Sequence, residues 1–171
     1  MNSEGTSTAR LLEMAGELLL PWTERTDVPA VNRLDVIVKA ADLPDAARKL
    51  YDSDWGYLVA ITGLDLGPEA NALEVLYHFG EGAAVVTLRV TIPRQNAAIP
   101  SVCHIIPAAV FFERELSEMF GIAVEGLSDP SRLFLPDEWP EHTFPLRKDF
   151  TGLEMLTATS DSESTADERK E

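Results

Sequence analysis

The stretch FLPDEWPEHTFPLRKDF at residues 134–150 gathers Asp137, Glu138, Glu141, His142, Arg147, Lys148 and Asp149 beside Trp139. A histidine among carboxylates is the raw material of general acid–base catalysis. Prolines at 136, 140 and 145 argue against a helix or an interior strand there, since each removes an N–H and fixes φ. The acids that could complete such a site lie upstream at Glu113, Glu115 and Glu118. At helical spacing Glu115 and Glu118 share a face while Glu113 and Glu115 diverge, and carboxylates on a helix surface are as a rule simply solvated. A free-standing acid–base enzyme would rest on Glu115 and His142.

Nucleophilic and metal chemistry are no better provided for. Cys103 and His104 are adjacent, so in an extended segment they face opposite sides and do not pair as nucleophile and base; a buried structural thiol is the expectation. As the single cysteine, Cys103 can form no internal disulfide and leaves no thiolate set for a cluster held by this chain alone. A metal site takes about three or four ligands at local spacing, and His78, His104 and His142 lie far apart with no second ligand at paired spacing. The residues therefore nominate no catalytic group, no cofactor-binding group and no metal ligand.

What the segment does concentrate is cations within an acidic chain. Arg114, Arg132, Arg147 and Lys148 alternate with Glu113, Glu115, Asp129, Asp137 and Asp149. Such groups either pair internally to pin an irregular segment or reach across an interface as charge-assisted bonds. Surface pairs alone add little stability, whereas Phe134, Leu135, Trp139, Phe144 and Leu146 are too apolar for a merely disordered stretch. Aromatic residues with arginine are the composition of an interface core. The residues expected to contact a partner are Glu113, Arg114, Glu115, Asp129, Arg132, Asp137, Trp139, Arg147, Lys148 and Asp149.

The elements that must position these groups follow from apolar spacing. Residues 11, 12, 14, 15, 18 and 19 form one stripe opposite Glu13 and Glu17, an amphipathic helix that Pro21 ends. Leu34, Val36 and Val38 alternate as a strand, and residues 43–51 read as a short helix with Asp42 as N-cap candidate and Pro44 in its first turn. Residues 56–66 return to a strand. NALEVLYHF and AVVTLRVTI, separated by GEG at 80–82, read as an antiparallel hairpin. Its core face holds Leu73, Val75, Tyr77, Phe79, Val86, Leu88, Val90 and Ile92, and its wetter face Glu74, His78, Thr87, Arg89 and Thr91. Residues 93–100 read as a loop, and Pro107 opens a helix that stops at Gly121.

These elements predict an α+β fold, a small and mainly antiparallel sheet with packed helices and a long extended C-terminal arm. The expected divisions are an N-terminal helix and linker over 1–32, an α+β domain over 33–125, a partner-binding arm over 126–150 and a disordered acidic tail over 151–171. At 171 residues and 45% hydrophobic composition the chain supports one ordinary core. Its net charge of -15 disfavours nucleic acid and anionic membrane surfaces. Neither a membrane-spanning run nor a signal-peptide core is seen, so a cytoplasmic location follows, with membrane association only through partners. No glycine-rich phosphate loop follows any strand.

FFERELSEMFGIAVEGLSDPSRLFLPDEWPEHTFPLRKDF resembles the signature of the complex I 30 kDa family, the C subunits of NADH-quinone oxidoreductase. That pattern runs from an aromatic before E-R-E, through F-G-I, a G-x-x-D step and R-x-x-L-P-D-D-W, to P-L-R-K-D-Y/F. Glu113, Arg114, Glu115, Phe120, Gly121, Ile122, Asp129, Arg132, Leu135, Pro136, Asp137, Trp139, Pro145, Leu146, Arg147, Lys148 and Asp149 match it. Phe111 and Phe112 stand where complex I members carry W-H, Gly126, Leu127 and Ser128 stand for G-H-P, and Glu118 replaces the common aspartate. The WPEHTFPLRKDF spacing looks more like the related subunits of membrane-bound, energy-converting NiFe hydrogenases and formate hydrogenlyase-type complexes, the branch slightly preferred over complex I proper.

In either branch the resemblance implies a non-catalytic subunit of the hydrophilic arm, docked on the large subunit that holds the quinone cavity or the NiFe centre and accompanied by a cluster-binding small subunit. It implies no cofactor on this chain, iron–sulfur clusters in the neighbours, and a peripheral position on the cytoplasmic side of the membrane.

Overall fold

Strict alternation builds the centre of the molecule. In the computed structural model, which describes residues 7–152, the first two elements are a helix α1 (Thr8–Leu19), capped by the Ser7 hydroxyl, and an edge strand β1 (Arg25–Ala30). β2 (Arg33–Ile37), α2 (Leu43–Asp52), β3 (Tyr57–Gly67), β4 (Ala72–Glu81) and β5 (Ala84–Pro93) follow. The sheet order is β1-β2-β5-β4-β3, all neighbours antiparallel except β2 and β5. That parallel pair is possible because the chain leaves β2 through α2 and returns at the far edge as β3.

The hairpin β4–β5 pairs Leu73 with Ile92, Val75 with Val90, Tyr77 with Leu88 and Phe79 with Val86. All eight side chains are buried, as their spacing predicts, and each stabilises the fold by about 1.5–3 kcal/mol. The reversal itself falls on Gly82 and Ala83, with Gly82 at φ 55, one residue later than the GEG centre. Helices α1 and α2 cover this face through Ala15, Leu19, Leu43, Ala46, Ala47 and Leu50. The Trp55 indole donates to the Leu11 carbonyl (3.0 Å), tying the end of α2 to α1.

The opposite face is polar and cross-linked. Arg89 bridges Asp35 and Glu74, and His78 sits between the hydroxyls of Thr62 and Thr87. Glu74, His78, Thr87, Arg89 and Thr91 thus share the face that alternation assigns them, although Thr87 is buried there by its neighbours.

A β-α-β unit completes the domain: β6 (Ala98–Pro100), α3 (Ala109–Phe120) and β7 (Ala123–Glu125), with β6 and β7 parallel. α3 ends at Gly121, at φ 65 in the left-handed region, as a glycine after a helix predicts. Beyond Gly126 the chain has no helix or strand to residue 152. Asp42 stands at the N-cap of α2 but its side chain makes no capping bond.

The α+β architecture matches expectation, and three short strands do not. β1 lies inside the stretch expected as a linker, and β6 lies within the expected 93–100 loop. β7 is likewise absent from the sequence expectation. All six residues of β1 are exposed, so no alternation marks it; β6 and β7 are too short for any period to register. The expected acidic tail lies outside the described residues from position 153.

Candidate functional site

The segment after α3 is laid back across the domain by bonds to its own backbone. Glu118, in the last turns of α3, accepts from the N–H groups of Leu133 (3.2 Å), Phe134 (2.9 Å) and Leu135 (2.8 Å). A carboxylate is the one side chain with enough acceptor sites to take three such donors. One turn earlier Arg114 donates to the Ser131 carbonyl (2.8 Å) and hydroxyl (2.9 Å) and to the Arg132 carbonyl (2.7 Å). It also pairs with Asp129 at 3.3 Å. At i and i+4 the two residues share a helix face and form a cradle for 129–135.

The next turn of the arm is closed on itself. Arg132 donates to the carbonyls of Pro136 (2.6 Å) and Trp139 (2.9 Å), and the Trp139 indole donates to the Thr143 carbonyl (2.8 Å). The Trp139 ring lies 6.2 Å from that of Phe150. The outer edge of the Phe144 ring packs against Gly121, where a Cβ would come within 2.3 Å of it. The glycine is required there twice over, by its φ and by this contact. Arg147 stacks over the Phe144 ring at 4.8 Å and donates to the Phe120 carbonyl (2.7 Å), an orphan acceptor at the end of α3.

The arm's end is fixed by a buried charge. Asp65, on β3, accepts from the backbone of Lys148 (2.8 Å) and Gly67 (2.8 Å) and from the Arg94 guanidinium (3.1 Å). Arg94 also pairs with Asp149 at 2.5 Å. Burial by itself raises the Asp65 pKa, yet Arg94 and the two N–H donors together outweigh it and bring the carboxyl down to about 2. The Arg94 bond likewise holds the Asp149 carboxyl below its usual range.

Most of the predicted contact residues are thus engaged within the chain. Arg114, Asp129, Arg132, Trp139, Arg147 and Asp149 bond to the domain or to the arm itself, and Lys148 does so through its backbone. Glu115, Asp137 and the Lys148 ammonium have no hydrogen bond or ion pair among the described residues; Glu115 lines a shallow groove with Leu116, Phe120 and Leu146.

Glu113 departs furthest from the expectation of a solvated helix carboxylate, being fully buried. It accepts from the Ser101 hydroxyl (2.5 Å) and the Val102 N–H (2.7 Å), and in this fold it offers no surface to a partner. Burial pushes its pKa up against those two bonds, which pull it down. Its charge also adds to the burial that raises the Tyr77 hydroxyl, which lacks a partner among the described residues.

The candidate chemical pairs do not assemble. Glu115 and His142 line different cavities. The Cys103 thiol is buried and turns to the Gly126 carbonyl and the Ser128 hydroxyl rather than to His104. Asp65 and Arg94, which anchor the arm, are invisible at the level of sequence: the LDLG and PRQN stretches carry no pattern that brings them to residue 148. Three of the exposed apolar side chains, Phe111, Phe134 and Leu146, lie on α3 and the arm, each more than half exposed; Leu20, Val28, Val31 and Tyr57 are exposed elsewhere.

Residues 36–155 match the model of the family described as respiratory-chain NADH dehydrogenase, 30 Kd subunit. Formate hydrogenlyase subunit 5 of Escherichia coli (strain K12) is 35% identical over 78% of this chain, which spans only 24% of that protein's length. The C subunit of NADH-quinone oxidoreductase from Moorella thermoacetica is 33% identical over 74% of this chain and 82% of its own. A chain of the membrane-bound sulfane sulfur reductase, an archaeal respiratory membrane complex, superposes with a TM-score of 0.72 at 26% identity, covering 88% of this chain and 91% of that one.

Proposed function

The chain belongs to the respiratory-chain NADH dehydrogenase 30 Kd subunit family, and we propose that it is a non-catalytic subunit of the hydrophilic arm of a membrane-bound complex related to complex I. In this reading it docks on the large subunit and steadies it, beside a cluster-binding small subunit, at the cytoplasmic side of the membrane. Relatives of both complex-I and hydrogenase type support the coarse assignment. The hydrogenase-like branch is preferred on the WPEHTFPLRKDF spacing. The second reading is the C subunit of NADH-quinone oxidoreductase proper, supported by the alignment to 82% of that relative.

The observation that carries the docking role is the surface formed by α3 and the arm. The arm's polar groups are turned inward onto Glu118, Arg114, Asp65 and Arg94, which leaves Phe111, Phe134 and Leu146 presented to solvent. Exposed apolar side chains on a segment pinned this firmly need little further ordering on binding and supply the anchors of an interface. No helix among the described residues is long and apolar enough to cross a membrane, so membrane attachment is assigned to the partners, as are iron–sulfur clusters and the quinone or NiFe site.

The test is affinity purification of the tagged chain from its native membranes, with a Phe134→Asp variant beside it. The variant is expected to lower recovery of the large subunit by about tenfold or more, the effect of losing an aromatic anchor, while its circular dichroism stays that of the unsubstituted chain. Equal recovery would contradict a docking role for this surface.

A further inference from the structure

Four loops meet beside the arm: the β3–β4 turn, the β5–β6 connection, the end of α3 and residues 142–147. Between them lies an open cavity of about 800 Å³ whose polar lining is Asn71, Arg94, Gln95, Asn96, His142 and Arg147. Among the described residues no carboxylate lines it, in a chain whose net charge is -15. Of the four described non-glycine residues with positive φ, three stand here: Asn71 at 49°, Asn96 at 53° and His142 at 56°.

The two arginines are not equivalent. Arg94 is neutralised by Asp65 and Asp149. Arg147 forms no ion pair with a carboxylate among the described residues; its Nε is taken by the Phe120 carbonyl and its face by Phe144, and its side chain lines both this cavity and a neighbouring one that Asp149 also lines. Burial, and then the charge of Arg94, hold its pKa below the ordinary arginine range against the opposing pull of Asp149 and Asp65.

We propose that this cavity receives an aspartate or glutamate side chain from the partner subunit, with Arg147 as its anchor and the side-chain amides of Gln95 and Asn96 as further donors. A guanidinium fork with neighbouring amide donors is the geometry that a carboxylate fills. The proposal deepens the docking role above and rests on it.

Gln95 provides the test, because its side chain lines the cavity and makes no hydrogen bond among the described residues. The full-length chain carrying Gln95→Glu or Gln95→Lys is co-purified with its complex from membranes at low and moderate salt. Gln95→Glu is expected to lower retention at least about threefold through like-charge repulsion, and Gln95→Lys, which replaces the amide donor by a cationic one, to raise it. Equal retention of both variants, or equal loss in both, overturns a charge-selective site while leaving the docking role standing. Failure of the unsubstituted chain to retain any partner overturns both. The same pair is repeated with residues 153–171 deleted: a persisting Glu–Lys difference supports a partner carboxylate, and its disappearance reassigns the cavity to the chain's own acidic segment and overturns the proposal.

Discussion

Asp65 fixes the arm's end through one buried charge, and its protonation state carries a measurable share of stability. With its folded pKa at about 2 against an ordinary value of 3.8, the ionised form is favoured on folding by about 2 kcal/mol. Because the folded value is depressed, that contribution is complete above about pH 4 and disappears as pH falls through about 2. Denaturant melts of Asp65→Asn and the native chain should therefore differ most at neutral pH and converge toward pH 2. Glu113 has the opposite sign: its raised pKa makes its ionised form a cost that grows as pH rises through its ordinary value toward its folded one. Glu113→Leu nevertheless leaves the Val102 N–H unpaired and the Ser101 O–H without its acceptor, a loss of about 1–3 kcal/mol in a denaturant titration. Tyr77→Phe removes an unpartnered buried hydroxyl and should leave the melting temperature unchanged or higher. The burial of Glu113 was illegible in the sequence for a definite reason. In FFERELSEMF it sits beside acids that are only half-buried, and the strand end that satisfies it comes from a loop reversal around Ser101 that leaves no periodic trace.

At the scale of elements, the decisive contact is Phe144 on the Gly121 cap of α3. Gly121→Ala would force both a left-handed backbone on an alanine and a Cβ into the ring, so a loss of about 1–3 kcal/mol is expected. Limited proteolysis should then cut within residues 126–150 faster than in the native chain, while the β4–β5 hairpin stays resistant; an unchanged digestion pattern would show that the arm is held without this contact. The hairpin was readable because eight apolar residues alternate without exception and a glycine closes the turn. The end of α3 was readable because Gly121 follows an apolar helical run. The arm's path was not, since its anchors Asp65 and Glu118 act largely on backbone N–H groups, which nearly every residue has and no sequence distinguishes, while Arg94 meets Asp149 from a loop 55 residues away. β1 escaped for a related reason: its exposed RTDVPA stretch, with Pro29 in it, has the composition of a loop.

At the scale of the molecule, the residue spacing and the match of residues 36–155 to the family model lead to the same family. The family signature lies mostly in α3 and the arm. There Arg114, Arg132 and Arg147 hold the arm's conformation, and so shape the surface that Phe111, Phe134 and Leu146 present. On the docking proposal, Arg114 and Arg132 would act indirectly by setting the geometry, and the apolar side chains and Arg147 at the cavity are the groups proposed to meet a partner. The measurement that bears most directly on this is native mass spectrometry of the complex purified through a tag on this chain. A stoichiometric assembly with a large subunit and a cluster-binding subunit is expected, with no turnover by the isolated chain. A chain that leaves the membrane alone, or that catalyses a reaction without partners, would contradict the docking role.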